Sequence, residues 1–181
     1  MSAVTTLLDR NRSFAEHFDA GDLAIPPRLA TVIVTCLDAR VDPAHVLGLE
    51  LGDALVIRNA GGWITPGVVQ DLGVLGVLAA SLPGPSTMRL ELVVMHHTDC
   101  GMARLAGSAI QQQAAQKLGL TVEEVANMAI TDPAASVREA IERLRATPGT
   151  PDQMVVSGLV YNVAEGTVEQ VVPPAPLRTP A

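Results

Sequence analysis

Two short clusters hold the residues of this chain whose types and spacing suit them for chemistry: Cys36-Leu37-Asp38-Ala39-Arg40 and His97-Thr98-Asp99-Cys100. In the first, the alternate residues Cys36, Asp38 and Arg40 project to one side if extended geometry persists. The second is a short loop carrying a nitrogen and a sulfur ligand three residues apart. Together Cys36, His97 and Cys100 offer three soft or borderline ligands, a set suited to tetrahedral Zn2+ with one position left open. A closed structural site wants four protein ligands. None of His17, His45 and His96 is an obvious fourth, since His17 and His45 fall in separate helix-like stretches and His96 should face away from His97. Two thiolates cancel the zinc charge, and water in the open position of such a site reaches a pKa of about 7. Asp38 beside Arg40 adds a carboxylate that a bidentate guanidinium keeps ionised, an acceptor able to orient a nucleophile or relay its proton.

Each residue alone has a plainer reading. A cysteine after a strand is a common core residue, an Asp and an Arg two apart form an ordinary loop ion pair, and two histidines at a strand end suit a hydrogen-bonded packing role. Taken jointly, the two clusters use both cysteines of the chain, which favours the metal. One disulfide brings little to a protein in a reducing compartment, so the thiols read as thiolate ligands in the cytoplasm.

The elements that must position these residues alternate. Thr6 to Ala20 fits an amphipathic helix closed by Gly21, and Ile25-Pro26-Pro27 then breaks the chain, leaving residues 1–27 as an N-terminal arm. Ala30 to Thr35 is a β-branched run of the kind buried on both faces of a sheet, ending at Cys36. Similar runs occupy Ala54 to Ile57, Leu90 to Met95 and Met154 to Val160, with helical stretches at Val68 to Ala80, Met102 to Leu118 and Ala134 to Ala146. Asp132-Pro133 reads as an N-cap and first helical residue, with Glu139 and Arg143 at i,i+4 spacing on the helix it opens. Tyr161 to Val172 reads as a terminal hairpin turning at Ala164-Glu165-Gly166. The expectation is therefore one α/β domain over 1–181: a mainly parallel sheet flanked by helices, a helical arm, a C-terminal hairpin and a mobile Pro-rich tail over 173–181. Ligands of parallel sheets gather beyond the carboxyl ends of the strands, where Cys36 and His97 both fall.

Composition narrows the partners. A net charge of -7, with no basic run, argues against nucleic acid. The aromatic residues Phe14, Phe18, Trp63 and Tyr161 supply little for stacking on bases. No apolar stretch approaches the ~20 residues of a membrane span, and Asp9, Arg10 and Arg12 stand where a signal peptide would be apolar.

The two clusters resemble the signatures of a known family, the β-carbonic anhydrases, and of its small bacterial and archaeal members in particular. Gly52-Asp53-Ala54, Ile57-Arg58-Asn59-Ala60-Gly61-Gly62 and Asp132 to Arg145 look like the family too, so that the likeness runs from Thr31 to Tyr161. The resemblance implies reversible hydration of carbon dioxide to bicarbonate and a proton by a zinc-bound hydroxide, in a homodimer or a dimer of dimers. It carries the zinc ligands onto Cys36, His97 and Cys100 and the catalytic Asp-Arg dyad onto Asp38 and Arg40. In some members the equivalent Asp closes onto zinc as a fourth ligand when its Arg lets go. Gly61 and Gly62 would bring bare backbone to the substrate pocket, or form an ordinary turn.

One stretch departs from the family. Its small members continue with Thr-Asp-Asp and an Arg-Ser pair, where this chain reads Trp63-Ile64-Thr65-Pro66-Gly67 and Gln70-Asp71. Pro66 suits a helix start, and Trp63 either covers a dimer interface or reshapes the approach to the zinc. Two rival functions follow: hydrolysis of carbonyl sulfide or carbon disulfide at the same zinc, and a non-catalytic, zinc-stabilised interaction protein in which Asp38 closes the site. Arg40 has no role in the latter.

Overall fold

A computed structural model describes residues 2–81, 90–148, 150 and 154–178. Five strands form one sheet: β1 (Thr31–Cys36), β2 (Ala54–Asn59), β3 (Glu91–His97), β4 (Val155–Asn162) and β5 (Thr167–Pro176). Their order is β2-β1-β3-β4-β5, with β1 parallel to β2 and β3, β3 parallel to β4, and β5 antiparallel to β4. The α/β class, the mainly parallel sheet and the terminal hairpin agree with the sequence reading. In this order the chain leaves β1 toward β2 on one side and returns with β3 on the other. The sheet therefore switches direction between β1 and β3, and the crevice beyond their carboxyl ends is the place for a ligand.

The helices are α1 (Ala3–Ala15), α2 (Pro43–Val46), α3 (Pro66–Ser81), α4 (Ser108–Leu118), α5 (Val122–Ala126) and α6 (Pro133–Ala146). The α6 start is as expected: Asp132 accepts from the Ala135 N–H at 3.0 Å and Pro133 takes the first helical position. Its Val137, Ala140, Ile141 and Leu144 join Val32, Val34, Leu92, Val94 and Val156 of the strands in one buried aliphatic cluster. β-branched strand residues sealed by a helix stripe of this kind supply the main driving force for the fold.

Several boundaries move, for local reasons. The first helix starts upstream of the expected Thr6 because Ser2 caps the Thr5 N–H, and it ends at Ala15. The expected helix over Met102 to Leu118 is split by the extended Gly107 into a 3-10 turn, Gly101–Ala106, and α4. The helix-like stretch expected around His45 is the single turn α2, whereas α5, too brief for a periodic signal, was not expected and is held by a capping box between Thr121 and Glu124. No residue of α1 is buried, so the arm leaves Leu7, Leu8 and Phe14 exposed. Among the described residues, no helix is long and apolar enough to cross a membrane.

The tail needs a larger correction. The stretch from Pro173, expected to be mobile over 173–181, is structured as far as Arg178. Pro173, Pro174 and Pro176 lie in β5, an edge strand, where a missing N–H is tolerated. Leu177 then turns inward to 1% exposure and donates its N–H to the Met154 carbonyl at 2.7 Å. Arg178 donates to the carbonyls of Arg145 and Thr147 at 2.6 and 2.8 Å, caps for the end of α6. Leu177→Ala is expected to cost about 2–5 kcal/mol of stability in urea unfolding. A loss below about 0.5 kcal/mol, the level of a surface change, would mean that the segment contributes nothing to the core.

Candidate metal centre

Cys36 is the last residue of β1, and Thr35 before it fixes the strand end by donating its hydroxyl to the Met95 carbonyl of β3 at 2.7 Å. His97 is the last residue of β3. Its loop is tied to β4, with the Thr98 N–H on the Tyr161 carbonyl at 2.9 Å and the Thr98 hydroxyl accepting from the Val163 N–H at 3.1 Å. Asp99 follows in left-handed backbone at φ 51°, and Cys100 opens the 3-10 turn. This path brings the Cys36 sulfur, one His97 ring nitrogen and the Cys100 sulfur within 4.8 Å of one another, all three residues buried. Neither cysteine is in a disulfide.

The donor set fits zinc. The edges of a zinc tetrahedron with S and N ligands run about 3.5–3.8 Å, within reach of this cluster. The His97 Nδ1–H donates to the Thr98 carbonyl at 2.9 Å, which fixes the tautomer and leaves the Nε2 lone pair free. That Nε2 is buried with no hydrogen-bond partner, a costly state that a metal would relieve. The thiols are coupled: Cys100 donating toward Cys36 holds Cys36 well below the usual thiol range, and Cys36 in return pushes Cys100 up. The backbone N–H groups of Asp38 and Gly61 also favour the Cys36 thiolate, and that of Met102 favours Cys100. A divalent cation in place of the shared proton would accommodate both as thiolates. Among the described residues, no further His, Cys, Asp or Glu joins this cluster.

Asp38 lies beside it, engaged by Arg40. Arg40 Nε and Nη2 donate to the two Asp38 oxygens at 3.0 and 2.8 Å, and the Arg40 backbone N–H reaches Oδ1 at 2.9 Å. The guanidinium keeps Asp38 ionised well below the ordinary carboxylate range. A carboxylate depressed in this way stabilises the fold above its ordinary value and loses that contribution only as pH falls through the lowered one. Arg58 on β2 holds the same loop from below, donating to the carbonyls of Cys36 at 3.1 Å and Asp38 at 2.7 Å. Sequence reasoning gave Arg58 no role. Its one signal is a cation that follows the apolar run Ala54 to Ile57 within β2.

Gly61 and Gly62 follow β2 in left-handed backbone at φ 87° and 73°. A side chain at Gly62 would meet the Thr35 backbone at 2.9 Å and the Cys36 nitrogen at 3.0 Å, so bare backbone is required there. Trp63 is where the expectation of an interface residue is corrected: it is 4% exposed within the single chain. Its indole N–H donates to the Met128 carbonyl at 3.2 Å, its ring meets His96 edge-on at 5.4 Å, and Arg143 lies 4.7 Å over it. The ring backs Gly61, whose added Cβ would strike it at 2.9 Å. His96 faces away from the metal cluster as expected, hydrogen-bonded to the Gly62 carbonyl at 3.2 Å. Burial holds its pKa down to about 4, so it packs as a neutral ring.

A family model described as carbonic anhydrase matches residues 31–168. Beta-carbonic anhydrase 1 of Mycobacterium tuberculosis is 30% identical over 96% of this chain and 100% of its own length. A crystal structure of carbonic anhydrase from Streptococcus mutans superposes with a TM-score of 0.76 at 33% identity, covering 94% of this chain and 98% of that one. Carbon disulfide hydrolase of Acidianus sp. strain A1-3 is 27% identical over 77% of this chain and 76% of its own length.

Protein prepared with zinc and dialysed against a chelator should retain close to one zinc per chain, and Cys100→Ala less than about a tenth of that. Full occupancy in the variant by elemental analysis would mean that zinc sits elsewhere.

Proposed function

Because the chain belongs to the β-carbonic anhydrase family, zinc enzymes of the lyase class, we propose that it hydrates carbon dioxide reversibly to bicarbonate and a proton at the Cys36–His97–Cys100 centre. The observation that carries this reading is the buried, unpartnered His97 Nε2 converging with two thiols beside an ionised Asp38. Zinc, when bound by Cys36, His97 and Cys100, supplies the Lewis acidity that lets water act as a nucleophile near neutral pH.

The chain's own groups do the rest. An ionised carboxylate has about four lone-pair sites and no donor. Three contacts from Arg40 occupy Asp38, two on Oδ1 and one on Oδ2. The remaining site on Oδ2 accepts a hydrogen bond from the reacting water and orients its oxygen toward the carbon of CO2. With its pKa so low, Asp38 orients the water and does not take up its proton, so the proton leaves through solvent and buffer. His96, buried and tied to Gly62, does not carry it. Arg40 holds Asp38 off the metal, and its release would let Asp38 close the site as a fourth ligand. Gly61 and Gly62, backed by Trp63, form the wall of the pocket for this small linear substrate. Two free thiols in a metal centre suit the reducing cytoplasm.

We assign at least a homodimer. Support comes from the apolar residues that α1 leaves exposed and from β2, an unpaired sheet edge with Val56 42% exposed. Light scattering at micromolar concentration should give twice the chain mass or more; a monomer would overturn the assignment.

The likeness to a carbon disulfide hydrolase makes the test of function a side-by-side rate measurement on zinc-loaded protein. CO2 hydration should be well above background, rising through about pH 7–9, and Arg40→Ala should lower it about 10- to 100-fold with zinc retained. Hydrolysis of carbon disulfide with CO2 hydration at the buffer background would replace this reading with the other.

A further inference from the structure

Arg40 makes more contacts than the holding of Asp38 requires. A guanidinium presents five N–H donors in a rigid fork. One edge, Nε and Nη2, is spent on Asp38. The other faces a second acidic residue: Nη1 donates to Asp99 Oδ2 at 2.8 Å and Nη2 to the Asp99 carbonyl at 3.0 Å. Asp99 belongs to the loop that delivers His97 and Cys100, and its left-handed φ of 51° is one that Asp, Asn and Gly adopt readily. The loop is anchored to β4 through Thr98, so Asp99 is a seat fixed independently of Arg40.

We propose that Asp99 is a positioning residue for the metal centre: it grips the Arg40 guanidinium on the edge opposite Asp38, so that Arg40 stays docked and Asp38 stays turned from the metal. Half of the Arg40 side chain is exposed. With Asp38 as sole partner, so flexible a cation is drawn away by water and by its own rotamer freedom. A grip on both edges leaves it one orientation. It also makes Arg40 a strut between the two ligand-bearing loops, the one after β1 and the one after β3. The inference rests on the preceding reading, in which an undocked Arg40 allows Asp38 to close the site.

The test uses the whole chain loaded with Co2+, whose visible absorption reports binding of thiocyanate at the open position without turnover. Asp99→Asn and Asp99→Gly both suit the left-handed backbone, whereas Ala would add strain of its own. Loss of the grip should weaken thiocyanate binding about two- to fivefold, the scale of an exposed ion pair acting on the fraction of open sites. Weakening in Asp99→Gly alone also supports the proposal, since an Asn amide oxygen keeps an acceptor near Nη1. Adding Asp99→Gly to Arg40→Ala should change nothing further, because Asp99 acts through Arg40. In the zinc enzyme, the midpoint of the kcat–pH profile should move upward in step. Unchanged or tighter thiocyanate binding in both single variants, or a full Asp99 effect in the Arg40→Ala background, would overturn it. Native protein that binds thiocyanate but does not hydrate CO2 would instead count against the function, so the two failures are distinct.

Discussion

Parallel pairing of β1 with β3 is the constraint on which the centre depends. The register that sets Thr35 against Met95 brings Cys36 and His97 out at neighbouring strand ends. Parallel strands need no shared turn, so each end is free to carry its own loop, and the switch in strand order opens a crevice between them. Both loops are then tied down by groups that are not ligands: Arg58 under the Cys36 loop and Thr98 against β4. The sulfur and nitrogen atoms converge because the backbone carrying them is fixed first.

Convergence has an electrostatic cost that defines what the site can hold. Two cysteine sulfurs in a buried pocket compete for one proton, and the tautomer fixed by Thr98 turns an unprotonated nitrogen, itself without a hydrogen-bond partner, toward them. A divalent cation resolves both problems. The backbone N–H groups of Asp38, Gly61 and Met102 favour the thiolates, and the close approach of Gly61 requires the bare backbone of that turn. Asp38 is kept out of the cluster because Arg40 occupies most of its lone pairs, leaving a carboxylate that can orient a donor.

Much of this was legible in the residues. The β-branched run ending at Cys36, the Asp132-Pro133 start of α6 and the Ala164 to Gly166 turn declare themselves through local chemistry, and the structure has each in place. Signals that depend on tertiary context misled. The prolines of 173–176 read as a tail, because composition does not show that an edge strand tolerates them or that Leu177 finds a pocket. Trp63 read as covering a dimer interface or reshaping the approach to the zinc, because sequence does not place Met128, His96 and Arg143 around its ring. Arg58 and Asp99 stood inside quoted motifs without a role. What they do is visible only when loops 59 residues apart meet at Arg40 and when a strand cation reaches two carbonyls.

One metal centre and one reaction are joined most directly by titrating zinc into metal-free protein while the initial rate of CO2 hydration is followed. The rate should rise linearly, break at one zinc per chain and stay flat thereafter, with no such rise in Cys36→Ala. Zinc bound at one per chain with the hydration rate still at the buffer background would contradict that link.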